Sequence, residues 1–267
     1  MTKRYFALAT LIFPLIGSLL AIPPSERSDS PACGLTWGTQ ASQVPELASR
    51  LTRSGPELIE RQLKFQKKQY AYTIFAPNGR DHSRALPVLL LLHGAGGNGS
   101  EVLSAWQDFA RNNEIILIAP NLPLDPVFEP IAPQFFRAVV DDVAADWSID
   151  PHRAYVFGHS MGGYLAFDAA AFDSDSFAAV AVHASFIAPD YVGIVEHVKR
   201  KIPIALYIGE RDLAVPLNRV RATKELLLSR GFPLHYVEIP GHDHDYYAVS
   251  KKLNRDIWDF LRKQRLP

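Results

Sequence analysis

The chain has 267 residues, 48% of them hydrophobic, 11% aromatic and 21% charged, which is enough apolar surface for a large core and excludes a chain that stays unfolded. Lysine plus arginine (28) equals aspartate plus glutamate (28), so net charge gives no reason to expect nucleic acid as a partner. The single cysteine, Cys33, excludes an internal disulfide, and no Cys/His spacing reads as a zinc module.

Lys3 and Arg4 precede an apolar run from Tyr5 to Ala21, followed by Pro23, Pro24 and a polar stretch. A basic start, an apolar middle and a breaker predict a secretory signal over residues 1–21, cut after Ala21. A retained anchor is the alternative, but Pro14, Gly17 and Ser18 weaken a spanning helix. The expectation is an exported protein, periplasmic or secreted, with no stable membrane association once the signal is removed. Cys33 follows Ser30-Pro31-Ala32 and lies far past the apolar run, which argues against a lipid-anchored cysteine.

Residues 22–61 read as an N-terminal extension, with a short helix over Pro45–Arg53, and residues 62–267 as one domain. Leu63 to Ala76 alternates like a hairpin strand, and Pro77-Asn78-Gly79 is a turn. Beyond Pro87, short apolar runs at 88–92, 115–119, 154–157, 178–182, 204–208 and 234–239 read as strands buried on both faces. Helical spacing fills 104–112, 135–147, 162–171, 217–229 and 248–263. Strand and helix in alternation predict an α/β architecture, a mostly parallel sheet with helices on both faces. The stretch from 182 to 204 has room for about one helix, so no large cap domain is expected.

Gly158-His159-Ser160-Met161-Gly162 joins a strand to a helix. That is the setting in which G-x-S-x-G forms a nucleophile elbow: the serine occupies a strained turn, and the glycines stay small where strand and helix crowd. A serine hydroxyl needs a base, and the base needs an orienting acid. Downstream, Asp212 stands just past the strand at 204–208, with Glu210 as the competing acid. The last strand ends in Pro240-Gly241-His242-Asp243-His244-Asp245, which offers His242 or His244 as the base. Alternating His and Asp also invites a metal, but position 246 is Tyr246 and no further ligand cluster follows, so no metal is expected. His93-Gly94-Ala95-Gly96-Gly97 follows the strand at 88–92 and lets backbone N–H groups approach a negative oxygen. With this order of motifs, the N–H groups of Ala95 and Met161 are the expected oxyanion donors, and His93 braces the loop. Neither G-x-x-x-x-G-K-[ST] nor G-x-G-x-x-G is present, and no cofactor is expected.

With elbow, acid, terminal histidine and His-Gly loop in succession, residues 62–265 resemble the α/β-hydrolase superfamily. Tyr70-Ala71-Tyr72-Thr73-Ile74-Phe75-Ala76-Pro77, Leu86-Pro87 and the 93–97 loop are similar to feruloyl esterases and polyhydroxybutyrate-depolymerase-like esterases. Gly209-x-x-Asp212-x-x-Val215-Pro216 resembles that group and the dienelactone-hydrolase-like proteins. Asp243-His244-Asp245-Tyr246-Tyr247 is similar to the catalytic-histidine loop of the esterase D-like and mycolyltransferase-like group, which implies His244 rather than His242 as the base. The resemblance implies a serine carboxylic-ester hydrolase with a Ser160, His244 and Asp212 triad, acting on small-molecule esters with short acyl or aryl groups. The Pro-rich loop 120–136, with Leu122, Leu124, Phe128, Phe135 and Phe136, is a candidate wall for such a group. A prolyl-oligopeptidase-type peptidase or amidase, an acyltransferase and a non-catalytic binding protein on the same fold are the rival readings.

Overall fold

A computed structural model describes residues 55–79, 81–122, 134–196 and 198–267. The expected signal, most of the extension, its short helix and Cys33 lie outside the described residues, as do Leu124 and Phe128.

Eight strands form one sheet in the order β1-β2-β4-β3-β5-β6-β7-β8. They are β1 (Glu57–Phe65), β2 (Lys68–Ala76), β3 (Leu86–Leu92), β4 (Ile116–Pro120), β5 (Ile149–His159), β6 (Ala179–His183), β7 (Ile204–Gly209) and β8 (Leu234–Ile239). β1 and β2 pair antiparallel, and β2 joins β4 antiparallel. Every other pairing is parallel. Among the described residues, four helices connect strands, α1 (Gly99–Asn113), α2 (Gln134–Ala144), α3 (Met161–Phe172) and α4 (Leu217–Ser229), and α5 (Tyr246–Leu261) follows β8.

The strand period of two splits the core cleanly. Val88, Leu90 and Leu92 of β3 face one cluster with α2, α3 and α4, as do Val156 and Leu206. Leu89 and Leu91 face the other, with Trp106 of α1 and Ile257 and Trp258 of α5. Helices therefore cover both faces, and the uninterrupted apolar runs of the central strands follow from that double burial.

Two strands differ from the sequence expectation. The run expected as one strand from Leu63 is a hairpin that begins at Glu57, inside the segment expected to be an extension. Its turn is Gln66-Lys67 at φ 45° and 70°, left-handed at both central residues as a two-residue hairpin demands, yet without the Asn-Gly chemistry that announces one. β1 was hidden by its charges. Arg61 bonds Asp142 at 3.4 Å, pairs with Asp146, and lies 4.7 Å over the Trp147 ring. β5 also begins five residues early, because Asp150-Pro151-His152-Arg153 interrupts the apolar signal while Ile149 pairs with Leu86.

The β6–β7 connection, residues 184–203, holds a single 3-10 turn, Pro189–Val195, among its described residues. No cap domain stands there. Tyr191 from this turn donates its hydroxyl to Asp168 of α3 at 2.8 Å. Burial pushes the Asp168 carboxyl up to about 6 against the opposing pull of that bond. A raised carboxyl pKa means the folded state holds its proton more tightly, so stability falls as pH rises from about 4 to about 6. Asp168→Asn keeps an acceptor for Tyr191 and removes the charge. Thermal melts are expected to show it more stable than wild type at pH 8, by at most about 3 kcal/mol, with the gain vanishing at pH 4. An equal gain at both pH values would contradict this account.

Candidate active site

The site residues come from the C-terminal ends of neighbouring strands, where parallel α/β sheets gather their chemistry. Ser160 follows β5 directly and caps α3 with φ 53° and ψ −116°, a conformation that a non-glycine residue holds only when its surroundings force it. Those surroundings are visible. A Cβ on Gly158 would come within 2.1 Å of the Gly162 oxygen, and one on Gly162 within 2.1 Å of the Leu92 oxygen. The elbow is clamped between α3 and the end of β3, and the Ser160 N–H is tied to the His183 oxygen at 2.9 Å.

Asp212 lies in the turn between β7 and α4, its side chain fully buried. Oδ1 accepts the N–H groups of Ala214 and Val215 at 2.9 and 2.8 Å, while Oδ2 lies 2.8 Å from His244 Nδ1. Burial alone would raise this carboxyl, but the bonds from His244, Val215 and Ala214 outweigh it and hold the pKa below the usual carboxylate value. The two oxygens divide the work, Oδ1 fixing the turn and Oδ2 meeting the imidazole. His244, on the β8–α5 loop, turns its Nε2 to Ser160 Oγ at 3.0 Å.

Ser160, Asp212 and His244 are thus brought into one hydrogen-bonded line. The two rivals are not in it. His242 is buried, with its Nε2 3.1 Å from His183 Nε2. Glu210 accepts the Gly241 N–H at 3.2 Å on the surface.

His93 braces its loop as expected. The Leu122 N–H donates to its Nε2 at 3.0 Å, which leaves Nδ1 protonated and donating to the Gly94 oxygen at 2.7 Å. Burial lowers its pKa and keeps the ring neutral. The turn Gly94–Gly97, closed at 3.2 Å, presents Ala95 at the surface, and Gly94 packs against His159 and the Ser160 Cβ. The N–H groups of Ala95 and Met161 make no hydrogen bond to another described residue. Of the expected wall, Leu122, Phe135 and Phe136 are fully in the core. An aromatic pair stands elsewhere: Tyr164 of α3 and Phe186 after β6 meet at 5.4 Å, with Arg219 of α4 5.5 Å over Phe186.

Two buried residues for which sequence reasoning found no role, His159 and His183, adjoin this line. Their rings lie side by side with Nδ1 atoms 3.0 Å apart, and the His159 ring is 5.0 Å from that of His244. A histidine inside the elbow motif was the one signal for His159, and His183 carried none.

Comparisons with known proteins agree with this architecture. The model of the alpha/beta hydrolase family matches residues 89–260. Acyl-protein thioesterase 1 of Gibberella zeae is 22% identical over 223 residues, covering 69% of this chain and 93% of its own. The crystal structure of a thermostable esterase superposes with a TM-score of 0.65 at 23% identity, covering 78% of this chain and 63% of that one. The S-formylglutathione hydrolase FrmB of Staphylococcus aureus superposes with a TM-score of 0.66 at 17% identity, covering 78% and 97%. With a family model matching most of its length and the fold of those structures around its site, the chain belongs to the alpha/beta hydrolase family and is a hydrolytic enzyme.

Proposed function

We propose that this enzyme hydrolyses carboxylic esters through an acyl-enzyme on Ser160, with short-acyl or aryl esters as its substrates. The observation that carries the reading is the engagement of both His244 nitrogens, Nδ1 with buried Asp212 at 2.8 Å and Nε2 with Ser160 at 3.0 Å. In that arrangement the carboxylate holds the proton on Nδ1 and leaves Nε2 free to accept one. Ser160 attacks the carbonyl carbon as its proton passes to His244, and the imidazolium is stabilised by Asp212. The N–H groups of Ala95 and Met161 hold the oxyanion, each worth about 3–4 kcal/mol in such chemistry. His244 then gives its proton to the departing alcohol. Water repeats the attack on the acyl-enzyme, releasing the acid and restoring Ser160.

Three observations support a small acyl or aryl group. The described residues of the β6–β7 connection form no cap domain. Tyr164, four residues after Ser160 on α3, meets Phe186, three residues past the end of β6, and Leu213, next to Asp212, is 98% exposed. The names of the relatives include esterases and a thioesterase, and an acyl thioester opens by the same attack.

The test is steady-state hydrolysis of p-nitrophenyl acetate, butyrate and decanoate, an aryl-acid methyl ester, an acyl thioester and a p-nitroanilide. The acetate, butyrate and aryl-acid esters are expected to give the highest kcat/KM, with little turnover of the anilide. Preference for the anilide would move the enzyme to the amidases, and preference for the decanoate would reject the substrate class.

A further inference from the structure

His159, His183 and His242 form an unbroken chain of buried imidazoles. His159 ends β5 and His183 ends β6, paired in register across the parallel ladder, so both rings leave the same face of the sheet side by side. Their Nδ1 atoms are 3.0 Å apart. His242 comes from the β8–α5 loop, whose backbone is seated on the end of β7: the Arg211 N–H donates to the His242 oxygen at 2.8 Å. From there its Nε2 reaches His183 Nε2 at 3.1 Å. The three residues are 7%, 0% and 7% exposed.

Proton counting fixes how such a chain works. Three neutral imidazoles carry three N–H groups, of which two donate within the chain and one remains at an end. The ends are His159 Nε2, whose edge packs against Gly94, and His242 Nδ1, which is 3.9 Å from the Asp243 carboxylate. Either direction satisfies both internal bonds, so the chain holds without a charge. Burial favours the neutral ring at two of these positions, lowering His159 to about 4, with the nearby His244 adding to the effect, and holding His183 well below the ordinary imidazole value.

Apolar side chains would fill the same space without the cost of desolvating six ring nitrogens. What hydrogen bonds add is a fixed distance and direction. One end of this chain adjoins Ser160 in sequence, and the other lies two residues before His244. We propose that His159, His183 and His242 act as a hydrogen-bonded gauge that sets the separation of Ser160 and His244, with His183 as its central positioning residue. The inference rests on the reading of Ser160 and His244 as nucleophile and base.

The test compares His183→Phe, His183→Gln and His242→Phe, with kcat and KM referred to the sites titrated by a fluorophosphonate. A slack of about 1 Å between reacting groups costs on the order of 100-fold. His183→Phe is accordingly expected to lower kcat by roughly 10- to 100-fold with KM within about twofold of wild type. His183→Gln, whose amide both donates and accepts, is expected to recover part of the loss. A lower Tm with unchanged kcat per titrated site, or equal kcat in the Phe and Gln variants, overturns the proposal. Should His183→Phe fail to fold, His242→Phe breaks the outer bond alone and carries the same expectation. Nitrogen-15 NMR of histidine-labelled wild type needs no variant: His183 is expected to be neutral and coupled across N–H···N bonds on both sides, and a protonated His183 or missing couplings overturn the chain. Wild type that takes no fluorophosphonate overturns the esterase reading itself, whereas labelled wild type with unaffected variants overturns only the gauge.

Discussion

Ser160→Ala is expected to abolish fluorophosphonate labelling and to lower kcat on p-nitrophenyl acetate by about 10⁶-fold, without unfolding the protein. Alanine removes one atom from a residue whose backbone is held by the Gly158–Gly162 clamp and by the His183 oxygen, so the fold has no reason to yield. His244→Ala is expected to fall nearly as far, because a serine hydroxyl without a base is a weak nucleophile. The double variant should lose little more than either single one, since the residues act as a unit rather than as separate contributors. His242→Ala supplies the contrast. It leaves Ser160, His244 and Asp212 in contact and removes one link of the buried chain, so a far smaller loss is expected. A His242→Ala enzyme as inactive as His244→Ala, or additive losses in the double variant, would contradict the assignment of the base.

Asp212→Asn is expected to lower kcat by about 10⁴-fold, for a reason visible in the two oxygens of Asp212. Oδ1 accepts from Ala214 and Val215, and only an oxygen can do so. Asparagine has one oxygen. Placed at those two N–H groups, it turns its NH₂ toward His244 Nδ1, which must then accept. The imidazole proton moves to Nε2, where it faces Ser160 and cannot receive the serine proton. The fold survives because the turn keeps its acceptor. Circular dichroism should match wild type, and kcat should respond far more than KM. Asp212→Ala removes both functions, and its expected signature is lost stability as well as lost activity. Wild-type kcat in Asp212→Asn would remove Asp212 from the mechanism.

Much of this architecture was legible because burial on two faces writes itself as unbroken apolar runs, as in Leu89–Leu92 or Ile204–Ile208. The elbow was legible because its two glycines answer to steric demands that no other residue meets. β1 was not, because an edge strand that alternates Glu57, Ile59, Arg61 and Leu63 spends its inward positions partly on ion pairs. The choice between His242 and His244 was closed to the residues alone: both lie on one loop two positions apart, and only the seating of that loop on β7 decides which ring meets Ser160. The imidazole chain was invisible for a related reason. Positions 159, 183 and 242 become neighbours through strand register and strand order, neither of which is local in sequence.

That non-locality has a temporal side. Ser160 and His244 are 84 residues apart in the chain, and His244 and Asp212 are 32 apart. They meet only after β5, β6, β7 and β8 have paired in parallel, and parallel pairings close long loops before they return contact energy. If the proposed triad carries the reaction, hydrolysis is expected only once the last strand has docked, whereas helices and apolar collapse need no such pairing. Catalytic activity would then be a clock for the completion of the sheet, its lag behind the helical signal measuring the time taken to assemble the far edge.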